Sequence, residues 1–176
     1  MPAVRRLTNL SLALLLLGPT LGACSDDGGG VDLCQSSGMP TASLGQGVGG
    51  AFVPYEEGEE VGLAVAPQGG FGVTVIVRTE GLLADADLAA SVQLNVEDQG
   101  VVVGEFLQEN TAFRCRNTDI GGEISGVVVG FDPDVYKTND DLIALDGDVV
   151  DLVVTVRASD GATVTARQTL TIRVGG

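Results

Sequence analysis

From about residue 47 onward, hydrophobic residues alternate with polar or small residues in short segments of the chain. The segments FGVTVIVRT, which starts at Phe71, and SVQLNVED, which starts at Ser91, each place every second residue on one apolar face. A period of two residues is typical of a β-strand with one buried face. Turn signals recur about every ten residues, so the pattern predicts about eight or nine strands and no convincing helix.

The last segment, from Asp148 to Val174, carries the clearest pattern. Two alternating arms flank Asp160-Gly161, and an Asp-Gly pair in this setting predicts a β-hairpin. The whole pattern predicts an all-β, antiparallel two-sheet sandwich. The hairpin resembles the last two strands of bacterial immunoglobulin-like domains, which implies the immunoglobulin-like form of that sandwich. The residues expected on the inner face of the hairpin are Val150, Leu152, Val154, Val156, Val164, Ala166, Gln168, Leu170 and Ile172.

The N-terminus has the three parts of a secretory signal peptide. Arginines at positions 5 and 6 form a positive region, and Leu10 to Leu17 form an apolar core that is shorter than the ~20 residues of a membrane span. The tetrapeptide LGAC, which ends at Cys24, resembles the lipobox of bacterial lipoproteins. The resemblance implies cleavage after residue 23, a diacylglyceryl thioether on Cys24 and acylation of the new amine. An ordinary signal peptide followed by a chance cysteine is the alternative.

The segment after the expected cleavage site is rich in Gly, Ser and Asp and lacks a hydrophobic period, which predicts a flexible tether. We therefore expect a signal peptide at residues 1–23, a lipidated tether at 24–47 and a β-sandwich domain at 48–176. Two or more acyl chains anchor a protein firmly to a membrane. In lipoproteins, aspartate after the lipidated cysteine retains the protein in the inner membrane. This chain has Ser25 there, so the resemblance implies a cell-envelope location in the outer membrane.

Two further cysteines, Cys34 and Cys115, form an even pair. In an oxidising envelope such a pair predicts one disulfide. The disulfide would close a loop of about 80 residues, which is worth about 4 kcal/mol in the chain-entropy model. The alternatives are two reactive thiols or a two-cysteine metal site, for which Met39 is the one further soft ligand in the mature chain.

Charge and composition exclude several functions. The net charge of −15 repels phosphate backbones, so no nucleic acid is expected as a partner. Histidine is absent and lysine occurs once, at Lys137. Catalysis by Ser-His-Asp or Cys-His groups is therefore excluded, and no other catalytic motif is recognisable. We expect no enzyme activity and no required cofactor.

Two groups of acids are candidates for a calcium site, because carboxylate oxygens on loops suit that ion. Neither group matches the D-x-D-x-D-G pattern, and solvated loop acids are the alternative interpretation. Tyr55 and Tyr136 are candidate binding aromatics, with packing on the edge of the sandwich as the alternative. The first acidic group is Glu56, Glu57, Glu59 and Glu60; the second, which is the better candidate, is Asp132, Asp134, Asp140, Asp141, Asp146 and Asp148.

The layout of the chain is also similar to a group of uncharacterised bacterial envelope lipoproteins. The shared features are the lipobox, the Gly-rich tether, an A-F-x-P stretch at residues 51–54 and a P-Q-G-G-aromatic turn at residues 67–71. We expect a lipid-anchored cell-envelope protein with a structural or protein-interaction role toward an envelope or extracellular protein. A calcium-dependent adhesion or carbohydrate-binding module is the alternative.

Overall fold

The computed structural model describes residues 38–48, 51–66, 69–82, 89–112, 114–115 and 121–175. The predicted signal peptide, Cys24 and most of the predicted tether lie outside these residues. Ten strands and one short helix occur in the part of the chain that is described. In chain order they are β1 (Thr41–Val48), β2 (Ala51–Pro54), β3 (Glu59–Val65), β4 (Phe71–Glu80), β5 (Ala89–Asp98), β6 (Val101–Ala112), β7 (Arg114–Cys115), β8 (Gly122–Phe131), α1 (Asn139–Ile143), β9 (Val149–Arg157) and β10 (Thr163–Arg173).

The ten strands form one sheet that closes on itself. The strand order is β2-β1-β4-β3-β10-β9-β5-β6-β8-β7, and a further pairing joins β4 to β8. Seven strands, from β4 round to β8, thereby form a closed barrel. β1 and β2 extend the sheet beside β4, and β7 extends it beside β8. The prediction of an all-β fold is confirmed.

The prediction of an antiparallel two-sheet immunoglobulin-like sandwich is not supported. β3 and β10 pair in parallel, and two short seams help to close the strands into one barrel. One seam pairs β3 with β4. The other pairs β6 with β8 through Gly104 opposite Phe131 and Glu105 opposite Gly130. An alternating pattern specifies which residues face inward, and that pattern is shared by sandwiches and closed sheets.

The predicted inner faces of the strands form the core of the barrel. On β5, Val92, Leu94 and Val96 have no exposed surface, and neither do Leu152 on β9 and Leu170 on β10. Burying one valine or leucine side chain contributes about 1.5–3 kcal/mol relative to leaving it in water. The hydrophobic interior is therefore the main source of stability, and the polar alternate residues of β9 and β10 face solvent as expected.

The predicted hairpin between β9 and β10 is present, and residues 158–162 connect its strands. The amide of Ala158 donates to the carbonyl of Ala162 at 2.8 Å, and the amide of Gly161 donates to the carbonyl of Ala158 at 3.0 Å. Gly161 has φ of 89°, a left-handed conformation that favours glycine. The Asp-Gly signal thus marks a tight loop whose geometry depends on that glycine.

β1 begins at Thr41, inside the range that the sequence analysis assigns to the tether. It pairs with β4 over residues 41–45, and Leu44 is buried in the core with 5% of its surface exposed. Its sequence, TASLGQGV, contains few large apolar residues, so its alternation is weak. The folded part of the chain therefore includes seven residues, 41–47, that were predicted to belong to the tether.

The barrel has two ends, which we call the entry end and the far end. β4 runs from Phe71 to Glu80, and Thr41, where β1 starts, lies opposite Glu80 at the entry end. β8 runs antiparallel to β4, so its last residue, Phe131, lies near Phe71 at the far end. The ten residues of β4 separate the two ends by about 30 Å.

Candidate functional site

A groove of about 790 Å³ lies at the far end of the barrel. One wall is formed by six consecutive β6 residues, Val102 to Leu107, and the other by the last residues of β8 and the turn after it. The turn between β3 and β4 closes one side through Ala66, Gly69 and Gly70. The groove thus follows the seam at which β6 meets β8.

Backbone pairing between β6 and β8 stops in the middle of this groove. The amide of Asp132 donates to the carbonyl of Val103 at 2.9 Å, and the next hydrogen-bonded pair in the same register is Glu105 with Gly130. Backbone groups in an antiparallel strand point to alternate sides, so the next pair would be Leu107 with Val128. No register pairing joins those two residues. Their N–H and C=O groups therefore point into a gap between the strands.

We call this gap the β6–β8 opening and define it as Phe106–Thr111 of β6 facing Ile124–Val129 of β8. Two irregularities make the strands diverge there. On β6, two residues lie opposite Ser91 where the register with β5 shifts, and the second, Asn110, has φ of 55°. On β8, the register with β4 also shifts, next to Gly126 with φ of 75°. Such bulges bend a strand away from its partner.

A second cavity, of about 380 Å³, lies within the β6–β8 opening. Phe106 lines both this cavity and the larger groove. At the closed end of the opening, a Cβ atom on Gly104 would lie 2.8 Å from the carbonyl oxygen of Gly130. The seam can therefore close only because a glycine occupies position 104.

The groove presents apolar side chains to solvent. Val102 is 49% exposed and Leu107 is 57% exposed, and Phe106 is half-buried. Val101, next to the groove on β6, is 64% exposed. Single exposed apolar residues are common on protein surfaces, but several of them beside a concavity are typical of an interaction site.

The far end is also acidic. Glu105 and Asp132 line the groove. Beside it, the ring of Tyr136 packs edge-on against Phe131, with the ring centroids 5.3 Å apart. Burial raises the pKa of Tyr136, and the charges of Asp98 and Asp148 raise it further. An occupant of the groove therefore meets the carboxylates of Glu105 and Asp132.

The six aspartates predicted as the better calcium candidate lie in the connection between β8 and β9, at the far end. Three of them are engaged in local bonds. The Oδ1 of Asp132 accepts from the amide of Asp134 at 2.8 Å. The Oδ1 of Asp146 accepts from the amide of Val174 at 3.0 Å and lies 3.9 Å from the Nη1 of Arg173.

Asp141 caps helix α1. Its Oδ2 accepts from the amide of Thr138 at 2.8 Å, and the hydroxyl of Thr138 in turn accepts from the amide of Asp141. Hydrogen bonds from Thr138 are the main reason why the pKa of Asp141 is lowered. Asp140 and Asp148 are exposed. Among the described residues, no three acidic groups are placed so that they could hold a metal ion together, and calcium binding stays a prediction.

The other acidic group binds its loop to the barrel wall. Glu60 receives a hydrogen bond from the Nη2 of Arg173 at 2.5 Å, and Glu59 accepts from Gln46 at 2.6 Å. Glu57 accepts from Gln168 at 3.2 Å. Glu57 and Glu60 thus bind this segment to β10, and Glu59 binds it to β1. Glu56 is exposed, and its amide donates to the Oε2 of Glu59 at 2.8 Å.

Tyr55 is a buried structural residue. It is 7% exposed, and its hydroxyl donates to the carbonyl of Thr74 at 2.5 Å. Burial, with a smaller contribution from Glu59, raises the pKa of Tyr55 to about 12. The interpretation of this residue as a packed tyrosine fits its position better than a binding role.

The predicted disulfide cannot be located in the described residues, because Cys34 lies outside them. The backbone of Cys115 lies on β7, opposite Gly122. The described residues contain no disulfide, and the pairing of Cys34 with Cys115 stays a prediction, as does lipidation of Cys24.

The groove residues were not identified from the sequence. The run Val101-Val102-Val103 contained a signal, because three consecutive apolar residues at the start of β6 break the alternation. Such a run must expose at least one large apolar side chain unless both faces of the strand are covered. The exposed residues are Val101 and Val102.

Comparison of the chain with models of known protein families gave no match, and comparison with curated proteins gave none either. The helix found among the described residues has neither the length nor the hydrophobicity of a membrane span.

Proposed function

We propose that this protein is a lipid-anchored protein of the cell envelope that binds another protein through the groove at the far end of its barrel. The observation that supports binding is the exposed apolar group on β6, Val101, Val102 and Leu107, beside a concavity of about 790 Å³. Exposed apolar surface of this kind is typical of protein-binding sites. The lipid anchor rests on the leader and on Cys24.

The positions of the two ends support a display role. The chain enters the fold at Thr41, at the entry end, and the groove lies about 30 Å away along the strands. In a chain anchored through Cys24, as we propose, the groove would lie at the opposite end of the barrel from the start of β1. Such an orientation leaves the groove accessible to a partner.

The anchor is tested by intact-mass measurement of the protein from its own host. The expected mature chain starts at Cys24 and carries the mass of a diacylglyceryl group and a further acyl chain. A Cys24→Ser variant should lose incorporation of labelled fatty acid. An unmodified Cys24, or a chain that retains its leader, contradicts the anchor.

Binding is tested by photocrosslinking in the host. A photoreactive phenylalanine analogue at Leu107 should give a discrete crosslinked protein that mass spectrometry identifies. The matched control is the same analogue at Thr165, an exposed residue of β10 on the opposite side of the barrel. Identical products from both positions, or none from Leu107, contradict binding at the groove.

A further inference from the structure

We propose that the β6–β8 opening takes up an extended, basic segment of a partner protein, which pairs with β6 as an added strand. This inference rests on the proposed function, because it names the partner chemistry for the same groove. Three features of the described residues support it: unpaired backbone groups, apolar side chains beside them, and the sign of the surrounding charge.

The backbone supplies the first feature. Leu107 and Val128 direct their N–H and C=O groups into the opening, where the pairing that joins Glu105 to Gly130 has ended. On its other edge, β6 pairs with β5 over the same residues, with Gln93 opposite Leu107. Among the described residues, β6 therefore has no strand paired to this edge beyond Glu105. Extended peptides bind such edges through main-chain hydrogen bonds.

The bulges limit the length of the added strand. Asn110 on β6 and Gly126 on β8 have positive φ values, and both lie within the opening, so neither edge stays regular beyond them. Only about three or four residues of a partner can pair with β6 before the ladder is interrupted. Side chains must therefore supply much of the affinity.

The side chains of β6 indicate what the partner presents. Val102, Phe106 and Leu107 line the groove beside the free edge. Successive side chains of an added strand point to opposite faces. A segment with an apolar residue at every second position would place those residues against the groove and the intervening ones at its rim.

The charge at the rim selects basic residues for those intervening positions. Glu105 and Asp132 line the groove, and Asp98 and Asp148 lie close enough to raise the pKa of Tyr136 beside it. A second copy of the chain, with a net charge of −15, would be repelled. A cationic segment would be attracted, and more strongly at low ionic strength.

The test uses the full-length protein in detergent micelles and a short fluorescent peptide of alternating lysine and valine. We expect binding by fluorescence anisotropy that weakens as salt is raised. A peptide of alternating glutamate and valine should not bind. Alternate backbone amides of a bound strand point to the same edge. N-methylating alternate amides of the basic peptide should therefore weaken binding about tenfold in one of the two possible patterns, the one that removes the donors facing β6.

Two variants at one position separate main-chain pairing from side-chain contact. Leu107→Pro removes the N–H that points into the opening but no bond to β5, and proline is tolerated at such edge positions. Leu107→Ala keeps that N–H and removes only the side chain. We expect the proline variant to bind at least about tenfold more weakly than the alanine variant, with thermal unfolding of both variants measured as the check on folding.

Strand addition is overturned if both N-methylated peptides bind as tightly as the parent peptide, a result that does not depend on any variant. Equal binding of the basic and acidic peptides overturns the charge assignment. Crosslinking at Leu107 in the host without binding of either peptide leaves the proposed function standing and removes this inference. Formation of a crosslinked dimer of the chain itself identifies a second copy as the occupant and also removes it.

Discussion

At the scale of single residues, one buried hydroxyl and one close backbone approach constrain the barrel strongly. The Tyr55 hydroxyl is withdrawn from water and bonded to the carbonyl of Thr74. On β4, a Cβ atom on Gly72 would overlap the carbonyl group of Val129 and lie 2.8 Å from the Cα of Gly130. Both positions join β4 to its neighbours, so changes there report on the integrity of the closed sheet.

The raised pKa of Tyr55 predicts that the folded protein loses stability in alkali. Its pKa of about 12 in the folded chain exceeds the ordinary value of 10.0, so its contribution is complete below pH 10 and is lost as the pH rises through 12. At pH 11 the expected loss is about 1.4 kcal/mol. Denaturant unfolding of the parent and of Tyr55→Phe at pH 8 and pH 11 measures it, because other groups titrate equally in both. An equal pH dependence for the two proteins would refute this.

The close contact of Gly72 with the backbone of β8 predicts that a larger residue at this position destabilises the protein. Gly72→Ala should lower the free energy of unfolding by about 3 kcal/mol or more, since backbone atoms must shift to admit the methyl group. The control is Gly62→Ala on β3, where an added Cβ meets nothing within 4 Å. That change should alter stability by less than about 1 kcal/mol. Similar unfolding midpoints for the two variants would contradict the close approach of β4 to β8.

At the scale of elements, long regular strands could be predicted from the sequence, whereas short or irregular elements could not. β4, β5, β9 and β10 alternate clearly and bury the expected residues. β1 has only Leu44 as a large residue at its buried positions, and α1 has five residues, too few for a helical period. The capping box between Thr138 and Asp141 was the one visible signal for α1.

The candidate site was harder to predict than the strands. The alternation shows which residues of β6 face inward, but the free edge at Leu107 depends on where pairing with β8 ends. That point is set by bulges near Asn110 and Gly126, whose positive φ values have no clear signature in the sequence. The barrel closure is also long-range, and no local pattern specifies it.

The register of the strands makes the predicted disulfide sterically reasonable. Ala42 lies opposite Thr79, Thr79 opposite Gly122, and Gly122 opposite Cys115. Three steps between strands separate the Cα atoms of Ala42 and Cys115 by about 14 Å. The eight residues from position 34 to Ala42 can span at most about 26 Å, which exceeds that separation, and the disulfide stays a prediction.

We therefore expect non-reduced protein from its own host to lack two thiol protons by mass. Reduction should lower the free energy of unfolding by about 4 kcal/mol, since it frees a loop of about 80 residues. The double variant Cys34→Ser with Cys115→Ser should show the same loss without added reductant. Alkylation of both thiols in the native, non-reduced protein would rule out the linkage.

The hydrogen bonds of the aspartates between β8 and β9 predict how the protein responds to calcium. Asp132, Asp141 and Asp146 already accept hydrogen bonds from the backbone, and an ion would have to displace those donors. We expect calcium to change the melting temperature by less than about 1 °C relative to magnesium, measured after treatment with a chelator. A rise of several degrees with calcium alone would favour the adhesion or sugar-binding alternative.

At the scale of the whole molecule, the start of β1 and the groove lie at opposite ends of the barrel. Ser159, in the loop between β9 and β10, lies at the entry end, because Arg157 of β9 pairs with Ser91 near the start of β5. Asp134 follows β8 at the far end. Both residues are exposed, so they can carry probes that report the orientation of the anchored protein.

We expect energy transfer to a membrane dye to be stronger from a fluorophore at Ser159 than from one at Asp134. The labels are placed on cysteines introduced into a chain without Cys34 and Cys115, anchored to vesicles through Cys24. The two sites are separated by about the 30 Å length of the barrel, which is enough to change transfer measurably. Equal transfer from both sites would contradict outward presentation of the groove, and a Cys24→Ser chain gives the background.

The parallel pairing of β3 with β10 has a consequence for biogenesis. Glu59 on β3 pairs with Leu170 on β10, a residue more than a hundred positions later in the chain. β10 lies between β3 and β9 inside the sheet. A chain that is still being synthesised therefore cannot close the barrel until β10, its last strand, has been made. We therefore expect a chain that ends before Thr163 to leave the barrel open and to be degraded.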